Sequence, residues 1–257
     1  MHLKTSLIIT TYNWPTALIS VLRSVENQTV LPDEIIIADD GSTDETVNLL
    51  KDYSVKGVKV IHAWQEDLGF RAARARNLAV TKSSGNYLIF IDGDMFLDKN
   101  FIEDHIANSQ KGIFIQGGRA MMDNALSNWI LSGETPSLFS LGLKNRKNSI
   151  RNKLLSKLFS KNDKLHFKTR TCNFSCWRSD YMEVNGFDNE YVGWGREDSD
   201  FVIRMINNGL TRKYLKFSAI GYHLYHTENS KDNLDKNNLL MESIGSSVQC
   251  NNGIRQL

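Results

Sequence analysis

Strand-like and helix-like segments alternate through the N-terminal part of this 257-residue chain, and this order constrains the fold more than any other feature. Four short runs are apolar and rich in β-branched side chains, which is typical of strands buried on both faces. These runs are residues 6–10, 34–38, 58–61 and 87–91. Helix-like segments separate them, so we predict an α/β fold with a mostly parallel, Rossmann-like sheet flanked by helices.

The connecting helices are predicted from apolar residues at helical spacing and from polar residues that cap a helix start. They begin after Pro15, at Ser42 or Thr43, and at Arg71. The second half of the chain is less regular and is predicted less fully. There we predict a strand at residues 113–117, a helix at 198–208 and a strand near 214–217, and residues 124–142 are poorly patterned.

The composition is that of a folded domain. Hydrophobic residues make up 41% of the chain, enough for a substantial core. No apolar run approaches the roughly 18 residues that span a bilayer, and the apolar stretch at residues 7–9 lacks the pattern of a cleavable signal peptide. Cys172, Cys176 and Cys250 are too few for a disulfide framework and are predicted to be free thiols in a reducing compartment. We therefore expect a cytoplasmic protein.

The net charge of +2 conceals an uneven distribution. Between Lys144 and Arg170 the chain carries ten basic residues and one acid, so this segment is +9 and the remainder is −7. Leucines at helical spacing lie among these lysines, a pattern that favours an anionic membrane surface as a partner. Phe159 and Phe167 are the only large aromatic residues in the segment, which disfavours nucleic acid as a partner. A solvated loop without a partner is the alternative.

Polar and acidic residues follow three of the four predicted strands, at residues 10–13, 39–42 and 92–94. Ligands of open parallel sheets bind beyond the carboxyl ends of the strands. Carboxylates crowded at such an edge repel one another unless a cation is bound. We therefore predict a cation-dependent ligand site along this edge of the sheet.

The triplet Asp92-Gly93-Asp94 is the leading metal-binding candidate, because it follows a buried strand directly. The glycine permits a tight turn and the close approach of a diphosphate. The two carboxylates offer hard oxygen ligands to Mg²⁺ or Mn²⁺. His223 and His226 are candidates for further protein ligands, since imidazole suits Mn²⁺.

Two further segments carry candidate chemistry. Trp194 is flanked by glycines and followed by Glu197 and Asp198. Its indole offers a platform for the apolar face of a sugar ring, and an adjacent carboxylate could accept the proton of an attacking hydroxyl. Three arginines begin the third predicted helix, where helix N-termini and guanidinium groups bind phosphate. They are Arg71, Arg74 and Arg76.

Together these motifs resemble the family 2 glycosyltransferases with the GT-A fold. The N-terminal motifs are Thr10-Thr-Tyr-Asn13, Ala38-Asp-Asp-Gly-Ser-Thr-Asp44, Asp67-Leu-Gly-Phe-Arg71 with Ala75-Arg-Asn77, and Ile91-Asp-Gly-Asp94. The C-terminal stretches Cys172-Asn-Phe-Ser175, Asn185-Gly-Phe-Asp188 and Gly193-Trp-Gly-Arg-Glu-Asp-Ser-Asp200 resemble galactosyltransferases, polypeptide N-acetylgalactosaminyltransferases and chondroitin-type polymerases. Their joint, ordered occurrence is more specific than any one motif.

The resemblance implies an inverting, metal-dependent transfer of a hexose or N-acetylhexosamine from a UDP-sugar to a hydroxyl of a glycan or lipid-linked glycan, of the surface polysaccharide or lipopolysaccharide type. The implied nucleotide-sugar contacts are Thr10, Tyr12, Asp40, Arg74 and Asp92. The implied ligands of Mn²⁺ or Mg²⁺ are Asp94, His226 and His223, the last where galactosyltransferases carry methionine. Asp198 matches the catalytic base, and Trp194, Gly195 and Glu197 would shape the acceptor site.

The resemblance also implies one GT-A catalytic domain over residues 1–257. Its parts would be a nucleotide-sugar-binding half at 1–97, an acceptor and metal half at 98–142 and 171–230, a basic insertion at 143–170 and a C-terminal tail at 231–257. Two other functions stay open. Segment 144–170 could belong to a module that binds a membrane surface or nucleic acid. A nucleotidyltransferase would share the parallel strands and acidic ligands, although residues 11–15 lack a Gly-rich, basic triphosphate loop.

Overall fold

The predicted alternation of strands and helices is present in the N-terminal half of the chain. The structure, a computed structural model, describes residues 3–51, 53–166, 169–227 and 230–257. Its first elements are β1 (Thr5–Thr11), α1 (Pro15–Glu26), β2 (Glu34–Asp39), α2 (Asp44–Lys51), β3 (Lys59–Trp64), α3 (Ala72–Lys82) and β4 (Tyr87–Asp92). Each lies within a few residues of the predicted boundaries, so this part of the sequence prediction is confirmed.

The second half contains shorter elements. They are β5 (Met95–Leu97), α4 (Phe101–Asn108), β6 (Ile113–Gln116), β7 (Ala120–Met122), α5 (Asn124–Leu131), β8 (Leu143–Lys144), α6 (Lys153–Phe159), β9 (Lys161–Asp163), β10 (Asn173–Trp177), α7 (Arg178–Glu183), α8 (Glu197–Asn207), β11 (Thr211–Tyr214), β12 (Gly221–His223) and α9 (Leu234–Glu242). Single 3₁₀ turns cover Arg146–Ser149 and Ile254–Gln256. The strand predicted at 113–117 and the helix predicted at 198–208 are confirmed as β6 and α8.

Two segments of this half differ from what the sequence pattern indicates. The poorly patterned residues 124–142 begin with α5. Its N-cap Asp123 accepts a hydrogen bond from the backbone N–H of Leu126 at 2.9 Å, and its Leu126 and Ile130 are buried. The strand predicted near 214–217 ends at Tyr214, since Phe217 has a φ of 56° and so leaves the β region.

The central sheet has eight strands in the order β3-β2-β1-β4-β10-β6-β11-β9. β1 pairs in parallel with β2 and β4, and β2 pairs in parallel with β3. β10 lies antiparallel between β4 and β6. The register sets Thr10 opposite Ala38 on one side and Asp92 on the other, so the carboxyl ends of β2, β1 and β4 lie side by side.

A second sheet, β5-β12-β7-β8, brings a distant histidine to the end of β4. β12 runs antiparallel to β5 and sets His223 opposite Met95, the residue after Asp94. The backbone N–H of Leu224 donates to the carbonyl oxygen of Asp94 at 2.9 Å. This pairing fixes the distance between Asp94 and the β12 histidine.

Helices pack on both faces of the central sheet, as the apolar strands predict. Ile8 and Phe90 cluster with Phe201 of α8 on one face, whereas Leu7 and Leu18 of α1 belong to the cluster on the other. All five side chains are fully buried. The three cysteines named above are free thiols, as predicted, two of them buried and one partly buried.

The basic segment folds as a 3₁₀ turn, α6 and the edge strand β9, and the helical spacing of its leucines is therefore confirmed. Leu154 and Leu158 on α6 are both 67% exposed. Phe167 and Lys168 lie outside the described residues. None of the helices in the described ranges combines the length and apolar character needed to cross a membrane.

Candidate active site at the carboxyl edge of the sheet

The three polar strand ends meet at one edge, as the sequence predicts. After β4 the backbone turns at Gly93, whose N–H donates to the carbonyl oxygen of Thr10 at 2.7 Å. A Cβ at Gly93 would lie 3.0 Å from that oxygen and 3.2 Å from Thr11. The close approach of the two strand ends therefore favours glycine between Asp92 and Asp94.

Arg76 of α3 joins the acidic groups of this edge. Its guanidinium lies 3.2 Å from an Asp92 oxygen, 3.4 Å from Glu197 and 3.6 Å from Asp198, and its Nε donates to Thr10 Oγ1 at 3.1 Å. The side chain is 6% exposed. Burial opposes its positive charge, but the three carboxylates more than offset that effect and raise the pKa of Arg76. One buried cation thus holds together residues from three distant segments.

The carboxylates around Arg76 are crowded. Burial, followed by the charge of Asp198, raises the pKa of Glu197 to about 7. Burial also raises the pKa of Asp92 to about 6, with Arg76 partly offsetting it. Since like charges so close together disfavour full ionisation, the arrangement favours a cationic ligand beside Asp92.

We expect Arg76→Met to lower the free energy of unfolding by about 2 kcal/mol, because three carboxylates would lose their shared cation. The expected loss is below that for fully buried pairs, since the Asp92 side chain is 31% exposed. Urea unfolding followed by circular dichroism measures it.

Arg74→Met is the matched control for this variant, since it makes the same replacement on the same helix. The Arg74 guanidinium donates to the neutral Gln65 Oε1 at 2.7 Å. Its loss should therefore lower the free energy of unfolding by less than about 1 kcal/mol. Equal losses in the two variants would contradict a central role for Arg76.

Asp198 is held in position at the first turn of α8. The backbone N–H of Thr171 donates to its Oδ2 at 3.0 Å, and the Thr171 hydroxyl donates to its Oδ1 at 2.5 Å. The side chain is 20% exposed, so it stays accessible from the edge of the sheet. A fixed, accessible carboxylate is suited to accept a proton from a bound hydroxyl group.

The loop before α8 is strained at the residue next to these acids. Arg196 has a φ of 82°, in the left-handed region that favours glycine. Its Nε donates to Asn238 Oδ1 of α9 at 2.6 Å. Asn237, fully buried, donates to the carbonyl oxygens of Val192 at 3.2 Å and Gly195 at 3.0 Å. Helix α9 therefore fixes the loop that carries Trp194.

Trp194 lies beside the edge with an accessible ring. Its side chain is 41% exposed, and the ammonium of Lys231 lies 5.3 Å from the ring centroid. Gly195, the other predicted acceptor residue of this loop, has a φ of 98°. The loop thus presents an aromatic surface near Glu197 and Asp198, as the sequence predicts.

Asp94, His223 and His226 form a candidate metal centre. Their donor atoms lie within 4.8 Å of one another, with Asp94 Oδ2 at 3.5 Å from His223 Nε2 and 3.3 Å from His226 Nε2. Burial would raise the pKa of Asp94, but a hydrogen bond from His226 and the charges of both histidines lower it. The same hydrogen bond raises the pKa of His226 to about 9, whereas burial lowers the pKa of His223.

This donor set fits a divalent cation. Asp94 Oδ1 is buried and accepts no hydrogen bond from the described residues, so it has an unused lone pair at the centre. One carboxylate and two imidazoles suit Mn²⁺ better than Mg²⁺, which prefers oxygen ligands alone. Both histidines named from the sequence reach the centre, and the structure therefore brings the three predicted ligands together.

A second group of predicted residues lies at the ends of β1 and β2. Asp40 accepts hydrogen bonds from Gln65 Nε2 at 2.5 Å and from the backbone N–H of Arg71 at 2.6 Å. Burial raises its pKa to about 6. Tyr12, which is 47% exposed, donates to Asp67 Oδ2 at 2.9 Å. These side chains, with Arg74 hydrogen-bonded to Gln65, form a polar, partly aromatic group beside the acidic edge.

Sequence reasoning missed several residues of this site. Arg76 was one of three candidate arginines, but only Arg74 was assigned a ligand contact, and the structure brings Arg76 to the acidic centre. Thr171, Gln65 and Arg119 gave no signal of their own. Arg119 lies close enough for its positive charge to lower the pKa of Asp94.

Comparison with known proteins identifies relatives across most of the chain. The family model for glycosyl transferase family 2 matches residues 6–176. The family model for the N-terminal domain of galactosyltransferase matches residues 155–227. Validoxylamine A glucosyltransferase from Streptomyces hygroscopicus subsp. limoneus is 26% identical over 226 residues, which is 80% of this chain and 48% of that protein. Chondroitin synthase from Escherichia coli is 25% identical over 243 residues, 85% of this chain and 34% of that protein.

A solved structure shares the fold. Staphylococcus aureus TarS 1–349 in complex with UDP-GlcNAc superposes with a TM-score of 0.64 and 18% identity, over 93% of this chain and 65% of that one. The present chain thus spans half or less of the length of the two curated relatives and about two thirds of the TarS chain.

The match to the glycosyl transferase family 2 model, together with the fold shared with TarS, shows a glycosyltransferase of the GT-A type. Because the family match covers well over half of the chain, the protein belongs to glycosyl transferase family 2. The predicted fold and enzyme class are confirmed, as is the likeness of the C-terminal part to galactosyltransferases. Neither a nucleotidyltransferase nor a module that only binds a membrane or nucleic acid agrees with these matches.

Proposed function

We propose that the enzyme transfers a hexose or N-acetylhexosamine from a UDP-sugar to a hydroxyl of a glycan or lipid-linked glycan, with inversion at the anomeric carbon. The observation that carries this proposal is that Asp92 and Asp198 both contact Arg76 at the sheet edge where Asp94 and the two histidines also meet. In this proposal the donor binds at the ends of β1 and β2, and the acceptor binds beside α8. The two reactants of a transfer reaction would therefore meet at this edge.

Asp198 is the proposed catalytic base. Thr171 donates one hydrogen bond to each of its oxygens, which fixes the carboxylate while leaving each oxygen able to accept another bond. An acceptor sugar that stacks on Trp194 would bring a hydroxyl to this carboxylate. Asp198 would take the hydroxyl proton as the oxygen attacks the anomeric carbon from the face opposite the leaving diphosphate. Glu197 and Gly195 would shape the acceptor pocket.

Asp94, His223 and His226 would hold the cation, which we propose to be Mn²⁺ with Mg²⁺ as an alternative. When bound, the cation would neutralise negative charge on the diphosphate. Asp92, next to this centre, would contact the ribose or the sugar. Its raised pKa, caused first by burial, is consistent with a hydroxyl or a cation as its neighbour.

The proposed uridine pocket uses Thr10, Tyr12, Asp40 and Arg74. The Tyr12 ring would lie against the planar base, and Asp40 could accept a hydrogen bond from the base N–H. Arg74, held by Gln65 beside Asp40, would approach the uridine or the diphosphate. The UDP-GlcNAc named in the TarS structure supports UDP as the nucleotide of the donor.

A nucleotide-sugar screen tests the donor. A UDP-sugar at 100 times its dissociation constant, with Mn²⁺ present, should stabilise the protein by about 2.7 kcal/mol. For a chain of this length the unfolding midpoint should rise by about 5–10 °C. Differential scanning fluorimetry with UDP-glucose, UDP-galactose and their N-acetyl forms measures the shift and ranks the sugars.

Two comparisons make the screen decisive. Asp40→Ala should abolish the shift, whereas Glu45→Ala, an exposed acid on α2, should retain it. Stabilisation by GDP- or dTDP-sugars without any by UDP-sugars would refute the proposed donor.

We also propose that the enzyme works at an anionic membrane surface, through segment 144–170. Exposed lysines and leucines on α6 support this. A lipid-linked acceptor would be presented at such a surface.

A further inference from the structure

A groove of about 550 Å³ lies between α4, α6, β9 and β11. It shares no residue with the active site described above. Its lining is basic and hydroxyl-rich. The residues that matter here are Lys153, Lys157, Lys213, Ser156, Ser160 and Ser218. Lys213 comes from β11, outside the basic segment, so the groove is assembled by the fold and not by that segment alone.

The groove keeps a positive charge after its internal ion pairs are counted. Its one acid, Asp104, receives two hydrogen bonds from Arg151, at 2.7 and 2.9 Å, and one from the backbone N–H of Ala219 at 2.9 Å. Lys153 pairs with Glu103 at 3.0 Å. Across the described ranges, Lys157 and Lys213 form no ion pair. Two lysines are therefore available to an anion.

An exposed apolar surface borders these lysines. Leu154 and Leu158 are one helical turn apart on α6 and are each two-thirds exposed. They follow Lys153 and Lys157 in the sequence, so the leucine row lies about 100° around the helix from the lysine row. Phe159, half exposed, packs edge-to-face on Phe217 at 5.9 Å and extends the apolar surface.

We infer that this groove binds the phosphate headgroup of an anionic lipid, with Leu154 and Leu158 entering the apolar layer next to it. The phosphate would accept hydrogen bonds from the ammonium groups of Lys157 and Lys213 and from the serine hydroxyls. A charged cavity beside exposed leucines matches a molecule that is anionic at one end and apolar at the other. This inference rests on the proposed membrane surface and not on the proposed transfer reaction.

Sedimentation with phospholipid vesicles tests the inference on the full chain. The protein should pellet with phosphatidylcholine vesicles that contain phosphatidylglycerol and should not pellet with phosphatidylcholine alone. The double variant Lys157→Gln/Lys213→Gln should bind about 25-fold more weakly, at about fivefold per lysine. Leu154→Ser/Leu158→Ser should also weaken binding, and its loss should persist at high salt, where charge interactions are screened.

Lys51→Gln/Lys82→Gln is the matched control, since it removes the same charge from exposed positions on α2 and α3. It should bind like the wild type. If the control loses as much vesicle binding as Lys157→Gln/Lys213→Gln, net charge alone explains the binding and the groove is not the lipid site. Unchanged binding of the leucine variant would overturn the insertion of α6.

The other ligand classes are outcomes of the same experiment. If glycerol phosphate at millimolar concentration releases the protein from vesicles, a soluble phosphate compound occupies the groove. If the protein binds a single-stranded oligonucleotide more tightly than it binds vesicles, the groove is a nucleic-acid site. Either result would overturn the lipid assignment. All variants should keep the UDP-sugar stabilisation, which separates failure of this inference from failure of the proposed function and shows that they fold.

Discussion

Replacing Asp198 with asparagine should lower kcat by about 10²–10⁴-fold, while the dissociation constant of the donor changes little. Asparagine keeps the size of the side chain. Its one amide oxygen can accept the hydrogen bond from the Thr171 backbone N–H, and its NH2 group can donate to the Thr171 hydroxyl, so the loop should hold its shape. It cannot take a proton from the acceptor hydroxyl. The loss should therefore fall on the chemical step and not on donor binding.

UDP release with a competent acceptor measures this prediction, and fluorimetry measures donor binding in the same variant. Glu183→Gln is a suitable control because it also removes one negative charge, from an exposed residue of α7. It should keep wild-type turnover. Near wild-type kcat for Asp198→Asn would rule out Asp198 as the base.

Removing the metal should abolish activity, and Mn²⁺ should restore it. Asp94 supplies the one carboxylate of the candidate centre, and its buried Oδ1 has no hydrogen-bond donor among the described residues. Asp94→Ala should therefore stay inactive at every Mn²⁺ concentration that restores the chelator-treated wild type. Full activity in the presence of EDTA would refute metal dependence.

Direct titration of Mn²⁺, followed by the electron paramagnetic resonance of the free ion, separates binding from turnover. Asp94→Ala and His226→Ala should each lose the tight site, and Glu45→Ala should keep it. His223→Ala decides whether both histidines are ligands. Retained Mn²⁺ affinity in this last variant would leave His226 and Asp94 as the protein ligands.

The N-terminal half of the fold can be predicted from the sequence because parallel strands with helices on both faces are recognisable as apolar runs. The second sheet cannot be predicted in this way. Its strands β5, β7, β8 and β12 are each two or three residues long, too short for a period to be recognised. Each of these strands is defined by pairing with a neighbouring strand that is distant in the sequence, or nearly so, and not by its own residue pattern.

The same limit applies to the active site. The acids are predictable because they follow strands, and strand ends share an edge. The residues that hold these acids are not predictable, because they are distant in the sequence. Arg76 and Glu197 are 121 residues apart, and Thr171 and Asp198 are 27 residues apart. Arg74 and Arg76 differ by two positions on one helix, so they point to nearly opposite sides, and spacing alone does not say which side faces the acids.

The surface charge that is available to a partner is predicted poorly from the sequence alone. The +9 segment reads as one continuous basic strip, but the fold divides it. Arg151 pairs with Asp104 of α4, and Lys153 pairs with Glu103 of the same helix. Such pairs join elements distant in the sequence, so local counting overstates the charge that is available to a partner.

The antiparallel position of β10 sets an order for folding during synthesis. β3, β2, β1 and β4 are complete once residue 92 has been made, but the free edge of β4 pairs with β10, which begins at Asn173. Until then a long apolar strand presents unpaired backbone groups, a surface prone to pairing with another chain. We therefore expect the nascent N-terminal half to be prone to aggregation until β10 has been made.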